Sequence, residues 1–242
     1  MRSRPLALAA LSLVLLGTTT ACAGGSGAAA EPTATRTTTT TPSATSTPTA
    51  TTEHLSLTQA QVEAALLHPT DVAADWVVEA TGFDLFAEEE STGPSTVEPA
   101  ACQPVLDAIE ADDVTPTATA KVHLTNGDTT QLVAEQVETV PGTSAADIAA
   151  MATAIAACPT FTETDADGVV TAFELVTLPV PSLGDGSVAF ALTGTSEDFE
   201  AEIDAVLIAA GDEQITLLTL GVTDASVLTQ VAGAAVAKVQ GV

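Results

Sequence analysis

The sequence predicts an α+β domain. We expect an antiparallel sheet of about six to seven strands with helices packed on one face, one disulfide, and a disordered tether in front of the domain. Three observations lead to this fold. Strand-like segments follow one another as hairpins in the middle and late parts of the chain. Amphipathic helical patterns lie before, between and after them. Two cysteines of an exported chain lie on or beside the apolar faces of two of these helices, which favours their pairing.

The N-terminus has the parts of an export signal, and we assign residues 1–21 to a lipoprotein signal peptide. Arg2 and Arg4 supply the positive charge that precedes the apolar run Leu6–Leu16. That run is too short to span a bilayer, because a membrane-spanning helix needs about 20 apolar residues. The segment therefore indicates export rather than a permanent membrane helix.

The end of this segment, Gly17–Cys22, resembles a bacterial lipobox, although Thr19 stands where leucine is usual. Cleavage at a lipobox would make Cys22 the N-terminus and the site of lipidation. The alternative is cleavage by ordinary signal peptidase after Ala21, which would leave Cys22 as an unpaired thiol in an oxidising compartment. We favour lipidation of Cys22.

Residues 22–52 consist almost entirely of Gly, Ala, Thr, Ser and Pro. Such a segment cannot bury enough apolar surface to offset the entropy of ordering it, so we predict a disordered tether. The folded domain then covers residues 53–242. These assignments place the protein at the cell membrane, held there by its lipid anchor only and facing the extracellular or cell-wall side.

The net charge narrows the choice of partners. The chain has 32 Asp and Glu residues against 5 Lys and Arg residues, which gives a net charge of −27. This field repels phosphates and anionic membrane surfaces, so we exclude nucleic acid as a partner. A solubilising surface explains the charge, and a surface that attracts cations or basic ligands is the alternative.

The first part of the domain reads as a short helix, a strand and a loop. Ser56–Gln59 forms a capping box for a helix that Pro69 ends. Trp76 begins a short strand, and its indole is expected in the core rather than in a ligand site. Thr81–Glu98 is acidic and is predicted to be a solvated loop.

The two cysteines of the domain are predicted to join two helices. The positions that share the helical apolar faces are Cys102, Val105, Leu106 and Ile109 in one helix, and Ile148, Met151, Ala152 and Ile155 in the other. The second helix, within Ala145–Pro159, ends just after Cys158. We infer a disulfide between Cys102 and Cys158, which would stabilise the fold by roughly 4 kcal/mol in the chain-entropy model. A catalytic or metal-binding role for these cysteines is disfavoured, because they have neither a Cys-x-x-Cys spacing nor a nearby histidine.

Two hairpins flank the second helix. Thr115–Val140 contains two strand-like arms around Asn126-Gly127, a strong hairpin signal. On the first arm, His123 is expected to be an exposed strand residue rather than a ligand or a base. Asp165–Gly168 is predicted to be a tight turn rather than a calcium loop, because no closing glutamate follows at the required spacing.

The end of the domain completes the sheet and adds a helix. Three further strands are predicted over Ser187–Thr195, Phe199–Ala209 and Gln214–Val222. Asp224 is the predicted N-cap of the final helix, and the apolar residues that follow it recur at helical spacing. Helices and antiparallel hairpins in this order are typical of an α+β domain.

No catalytic constellation stands out in the sequence. His54, His68 and His123 lie in unrelated elements, and there is neither a Gly-x-Ser-x-Gly motif nor a phosphate-binding glycine loop. We therefore expect a protein that is not an enzyme and has no cofactor and no metal. Paired carboxylates are the catalytic option that so acidic a chain leaves open.

The motifs taken in order resemble a known family. A lipobox and a Thr/Pro stalk precede a short helix that leads to Ala74-Asp75-Trp76, a Cys102 helix, a hairpin, an Ala-Ala-Cys-Pro sequence at Cys158 and the run Pro181–Asp185. Over about Leu55–Val242 the chain resembles the extracellular sensor domain of the PknH-type mycobacterial Ser/Thr kinases and its free-standing actinobacterial lipoprotein relatives.

The resemblance implies an antiparallel sheet with helices on one face and a cleft that binds a ligand. Members of the family usually have two disulfides, and this chain keeps the pair that matches Cys102 and Cys158 but lacks the second. Because no kinase domain is present, a sensor-like role implies ligand capture or partner binding outside the cell. We expect an envelope lipoprotein that binds a small molecule or lipid through residues that the sequence does not identify. The alternative is a protein–protein adaptor of the cell wall that binds an envelope protein.

Overall fold

The structure of the chain is a computed structural model that describes residues 56–86, 95–110, 115–127, 131–142, 145–197, 199–222 and 224–242. The predicted signal peptide, the tether and Cys22 lie outside the described residues. None of the helices in these ranges is both long and apolar enough to cross a membrane.

The described residues form five α-helices and nine β-strands. The helices are α1 (Gln59–Ala65), α2 (Pro69–Val72), α3 (Gln103–Glu110), α4 (Ala145–Ala157) and α5 (Ala225–Val239). The strands are β1 (Val77–Val78), β2 (Thr96–Glu98), β3 (Ala118–Thr125), β4 (Leu132–Thr139), β5 (Thr160–Thr164), β6 (Val170–Thr177), β7 (Gly186–Ser196), β8 (Phe199–Ala210) and β9 (Glu213–Leu220). A short 3₁₀ turn, Ala100–Cys102, leads into α3.

The strands form one antiparallel sheet in the order β1-β3-β4-β9-β8-β7-β6-β5-β2. The α+β class is therefore right, but nine strands exceed the predicted six to seven. The edge strands β1 and β2 have two and three residues. β1 is the short strand that was predicted to begin at Trp76, whereas β2 lies at the end of Thr81–Glu98, where the prediction of a loop is wrong. A segment of three residues is too brief to show a clear period of two in the sequence.

The predicted placement of all helices on one face of the sheet is wrong, because helices cover both faces. α3 and α4 pack over one face and enclose the first core, whereas α1, α2 and α5 pack over the other face and enclose the second core. Leu207 and Ile208 are neighbours on β8, and both are fully buried, one in each core. Successive side chains of a strand point to opposite faces, so this strand needs cover on both sides.

The disulfide between Cys102 and Cys158 is present in the structure and ties the start of α3 to the end of α4. The Cα atoms of the two cysteines are 5.6 Å apart, and both residues are buried in the first core. On α4, the residues Ile148, Met151 and Ile155 are buried as the helical spacing predicts. The bridge therefore joins two elements that cover the same face of the sheet.

The ends of the helices follow local capping rules, with one shift. α1 begins at Gln59, and its N-cap is Thr58 rather than Ser56. The backbone N–H of Thr58 donates to Gln61 Oε1 at 3.1 Å, while the Ser56 hydroxyl donates to Asp212 Oδ2 at 2.6 Å. Two Ser/Thr-x-x-Gln patterns overlap here, and the hydrogen bond of Ser56 to the distant Asp212 accounts for the choice between them.

Two predicted turns are present. β3 and β4 form the hairpin that Asn126-Gly127 indicates, but the connection spans residues 126–131 and is longer than a two-residue turn. Asp165 Oδ1 accepts the backbone N–H groups of Asp167 at 2.9 Å and Val169 at 2.8 Å, which makes the tight turn predicted between β5 and β6. Gly168 adopts φ of +82° in this turn, a conformation that favours glycine.

Candidate functional site

Part of the second face of the sheet has no helix over it in the described ranges. α1, α2 and α5 cover this face over β3, β4, β9 and the later half of β8. The same face continues across β2, β5, β6, β7 and the first half of β8, where its side chains are exposed or half-buried. We call this uncovered surface the open face.

The strand register arranges the open face in three rows. The first row, from β2 to β8, is Glu98, Thr162, Ala172, Thr195 and Glu200. The second row, from β5 to β8, is Thr160, Glu174, Thr193 and Glu202. The third row, from β6 to β8, is Val176, Ala191 and Asp204. Threonine, alanine, valine and carboxylate side chains therefore make up the open face.

The strands of the open face are stabilised by their alternate residues, which point to the opposite side of the sheet. Phe161, Leu175, Leu192 and Ile203 point to the other side and are buried in the first core. Burial of one face supplies the packing that anchors these strands, because successive side chains point to opposite faces. The side chains of the open face therefore do not have to pack against a helix for these strands to be stable.

A shallow groove of about 380 Å³ lies on this part of the sheet. Glu98 and Pro99 line it at one end, and Thr193 and Thr195 line it on β7. Phe161 and Phe173 are also among the residues that line the groove, but Phe161 is buried in the first core on the other side of the sheet. Its ring stacks there on that of Phe173, with ring centroids 5.0 Å apart and planes 26° apart. The volume falls in the range of small-molecule sites, but the lining is more polar than in most of them.

The open face is negatively charged. It carries Glu98, Glu174, Glu200, Glu202 and Asp204. Burial, together with the negative charge of Glu202, raises the pKa of the Asp204 carboxyl above its ordinary value. This shift has the sign expected where carboxylates lie near one another without a cation between them.

Positive charge lies elsewhere in the described part of the chain. Its lysine and arginine residues are Lys121 and Lys238. Lys121 pairs with Asp84, and Lys238 Nζ lies 3.2 Å from Asp71 Oδ2. Because both lysines are engaged with aspartates away from the open face, its carboxylates face solvent without a lysine or arginine partner from the described residues.

His123 lies in a second polar cluster, and the prediction that it is an exposed strand residue is wrong. Its side chain is only 11% exposed, with Nε2 3.1 Å from Asp84 Oδ1 and the ring edge-on to Phe86. The backbone N–H of Leu85 donates to Nε2 at 3.1 Å. Asp84 is remote in the sequence, so inspection of the spacing around His123 could not reveal it.

The contacts of His123 indicate a structural role rather than a catalytic one. Burial lowers the pKa of His123, which favours the neutral ring that accepts the Leu85 N–H. A ring nitrogen whose lone pair already accepts a hydrogen bond is not available as a general base through that atom. Asp84 also pairs with Lys121, so the cluster ties the segment after β1 onto β3.

Glu135 is a buried carboxyl on the same side of the sheet as the second core. Its side chain is fully buried on β4, where Oε2 accepts the backbone N–H of Leu67 at 2.6 Å. Oε1 has no hydrogen-bond partner in the described part of the chain. Burial raises the pKa of this carboxyl to about 7. The group lies beneath the junction of α1 and α2, away from any cavity described above, so we assign it to stability.

The residues singled out from the sequence are only partly brought together. Cys102 and Cys158 meet in the disulfide, whereas Cys22 lies outside the described residues. Asp165 uses its carboxylate to cap its own turn. Within the described ranges, no group of three or more His, Cys, Asp or Glu side chains is placed to hold a metal ion.

The open face was not identified from the sequence, although a signal is present. Glu200, Glu202 and Asp204 alternate with apolar residues at a spacing of two on β8. Threonines recur with the same spacing in Thr160–Thr164. Alternation of this kind indicates one buried and one uncovered face. It could not reveal that β2 joins this surface beside β5, because β5, β6, β7 and β8 are neighbours in chain order but β2 comes from an earlier part of the chain.

Comparisons with known proteins bear on the fold. No family model matches the sequence, and no curated protein matches it. The structure is similar to the crystal structure of the extracellular domain of PknH from Mycobacterium tuberculosis, with a TM-score of 0.54 and 18% identity, covering 78% of this chain and all of that one. It is also similar to an uncharacterized protein (Rv0999 ortholog) from Mycobacterium smegmatis, with 15% identity over 71% of this chain and 92% of that one.

The second similarity has a TM-score of 0.48, which is too low to support an argument. The first covers the whole of the PknH domain, and it matches the family to which the sequence motifs point. At this level of identity the likeness concerns the fold. The chain therefore has the fold of the extracellular domain of PknH, as the order of its motifs predicts.

Proposed function

We propose that this chain is an extracellular binding domain, held at the membrane through lipidated Cys22, that captures a ligand of the cell envelope on the open face. The observation that carries the proposal is the half-covered second face of the sheet. Helices bury this face over β3, β4 and β9, yet none of the described helices continues across β2, β5, β6 and β7. The uncovered part also holds the 380 Å³ groove.

The exposure of the open face supports a binding role. Val176 is 49% exposed and Val170, on the same side of β6, is 53% exposed. Apolar side chains on an ordered and uncovered surface, rimmed by polar ones, are typical of interaction sites. The open face combines these valines with hydrogen-bonding threonines and charged carboxylates, so it offers a ligand several kinds of contact at once.

The chemistry of the open face supports binding rather than catalysis. Its side chains are hydroxyls, carboxylates and small apolar groups. A hydrolytic site needs a nucleophile held against a base and an orienting group. The histidine nearest to such a role, His123, lies on β3 at the far side of the sheet and already accepts a backbone N–H. The similarity in fold to an extracellular domain agrees with this view.

Native mass spectrometry of the chain purified from its own envelope tests the proposal. We expect the wild-type chain to carry a bound small molecule or lipid, and Ala172→Trp to lose it, because Ala172 is an exposed residue that lines the groove. Ala156→Trp is the matched control, since Ala156 is exposed on α4 over the opposite face. Equal ligand occupancy in wild-type chain and both variants would contradict the proposed site.

The same experiment tests the alternative, a protein–protein adaptor of the cell wall. An adaptor would co-purify with an envelope protein and without a small molecule. If Ala172→Trp released that protein and Ala156→Trp did not, the open face would be a docking surface of the adaptor. Capture of a small molecule or lipid, lost in the same variant, supports the first proposal instead.

A further inference from the structure

The carboxylates of β8 lie beside the groove and are not part of its lining, so the partner that they would bind differs from the ligand proposed for the groove. Glu200, Glu202 and Asp204 point to the open face from successive outward positions of β8. Residues two apart on a strand are separated by about 6.8 Å along its axis. The three carboxylates therefore form a line of negative charge with a regular repeat, to which Glu174 on β6 adds a fourth charge.

This repeat does not suit a single metal ion. A cation binds its carboxylate oxygens at about 2.0–2.6 Å, so ligands about 6.8 Å apart along a strand do not share one ion without rearrangement. In agreement, the described residues contain no group of three metal-ligating side chains. An anionic ligand is disfavoured as well, because the two lysines of the described ranges pair with Asp71 and Asp84.

The repeat does suit an extended chain. In an extended peptide, side chains on one face also recur at about 6.8 Å, so basic residues at alternate positions can meet Glu200, Glu202 and Asp204 one by one. Thr193 and Ala191 lie beside this line on β7 and are small, which lets a chain approach the sheet. Charge complementarity and the common repeat together define the occupant.

The geometry points to an extended protein segment with lysine or arginine at alternate positions, lying on the open face along β8. Its basic side chains pair with the carboxylates of β8, and its intervening side chains face solvent. Like charges along β8 repel one another in the free protein. A bound cationic segment relieves that repulsion, so binding should weaken as salt screens the charges.

Two synthetic peptides of equal composition test the inference on the full chain. One alternates lysine and threonine over eight residues, and the other has four lysines followed by four threonines. We expect the alternating peptide to bind about fivefold more tightly at low ionic strength, measured by fluorescence anisotropy, because exposed ion pairs each contribute modestly. Equal affinity of the two peptides would overturn the inference, because net charge alone would then explain binding.

Charge variants locate the contact. Glu200→Gln combined with Glu202→Gln should weaken binding of the alternating peptide about fivefold. Glu63→Gln combined with Asp75→Asn removes the same charge from exposed positions outside the open face and should leave binding within about twofold. Equal weakening by the two pairs would overturn the inference. In that case, loss of the envelope ligand from Ala172→Trp would still uphold the proposed function, so the two ideas fail separately.

Discussion

Glu135 gives the sharpest test of the electrostatics, and Glu135→Gln is the change to make. The carboxyl is fully buried on β4, with one oxygen on the N–H of Leu67 and the other without a partner among the described residues. Burial raises its pKa from 4.5 to about 7, against the opposing effects of the Leu67 N–H and of Lys238. Glutamine has nearly the same shape but does not ionise, so the variant removes the titration and keeps the packing.

The direction of the effect follows from linkage. The folded state keeps the Glu135 proton up to about pH 7, whereas the unfolded state releases it near pH 4.5. Folding therefore takes up a proton between these values, and the stability that this group contributes is lost as the pH rises. From pH 5 to pH 8, the free energy of unfolding of the wild-type chain should fall by about 2.5 kcal/mol relative to Glu135→Gln.

Urea unfolding of both proteins at several pH values between 5 and 8 measures this difference. The slope against pH is the informative quantity, because the glutamine amide can add a constant offset through its own unpaired N–H group. Glu63→Gln, at an exposed position of α1, is the control and should follow the wild-type chain. A difference between wild type and Glu135→Gln that stays constant within about 0.5 kcal/mol would refute the reasoning, since a raised pKa requires a slope.

Three further predictions test the architecture and the anchor. Replacing both Cys102 and Cys158 by serine should lower the free energy of unfolding by roughly 4 kcal/mol, measured by urea unfolding against the oxidised wild-type chain. The reduced wild-type chain should match the variant, and equal stability of oxidised and reduced wild type would contradict this prediction. Leu207→Ala and Ile208→Ala should each lower the free energy of unfolding by about 3 kcal/mol in the same assay, because each side chain is buried in a separate core. A nearly neutral effect of either change would mean that helices do not cover the face of the sheet to which that side chain points. Cys22→Ala should abolish incorporation of a labelled fatty acid and move the chain from the membrane to the soluble fraction, while retention of label would exclude Cys22 as the lipidated residue.

Much of the fold could be predicted from local patterns. The burial of Ile148, Met151 and Ile155 could be predicted because apolar residues recur at helical spacing within one short segment. The disulfide between Cys102 and Cys158 could be inferred because both cysteines flank buried helical faces. The prediction that all helices pack on one face of the sheet was wrong, as β8 shows, because its neighbouring residues Leu207 and Ile208 are buried on opposite faces. A continuous apolar run can belong to a strand covered on two faces, and its sequence does not say which helices provide the cover.

The candidate site was harder to predict, because one of its edges, β2, comes from a part of the chain distant from the consecutive strands β5 to β8. Glu98 and Thr162 are neighbours across β2 and β5, although 64 residues separate them. His123 shows the same difficulty on a smaller scale, since its partner Asp84 comes from the segment after β1. Pairings of this kind depend on strand order, which local spacing does not encode.

The sequence by itself determined the class of fold, the acidity and the pairing of the two domain cysteines. Each of these follows from composition or from patterns within a few turns of chain. Tertiary structure alone decided that helices lie on both faces, that Glu135 is buried, and that one part of a sheet face stays uncovered. These features depend on which surfaces meet, and packing between distant segments settles that question only when the whole chain has folded.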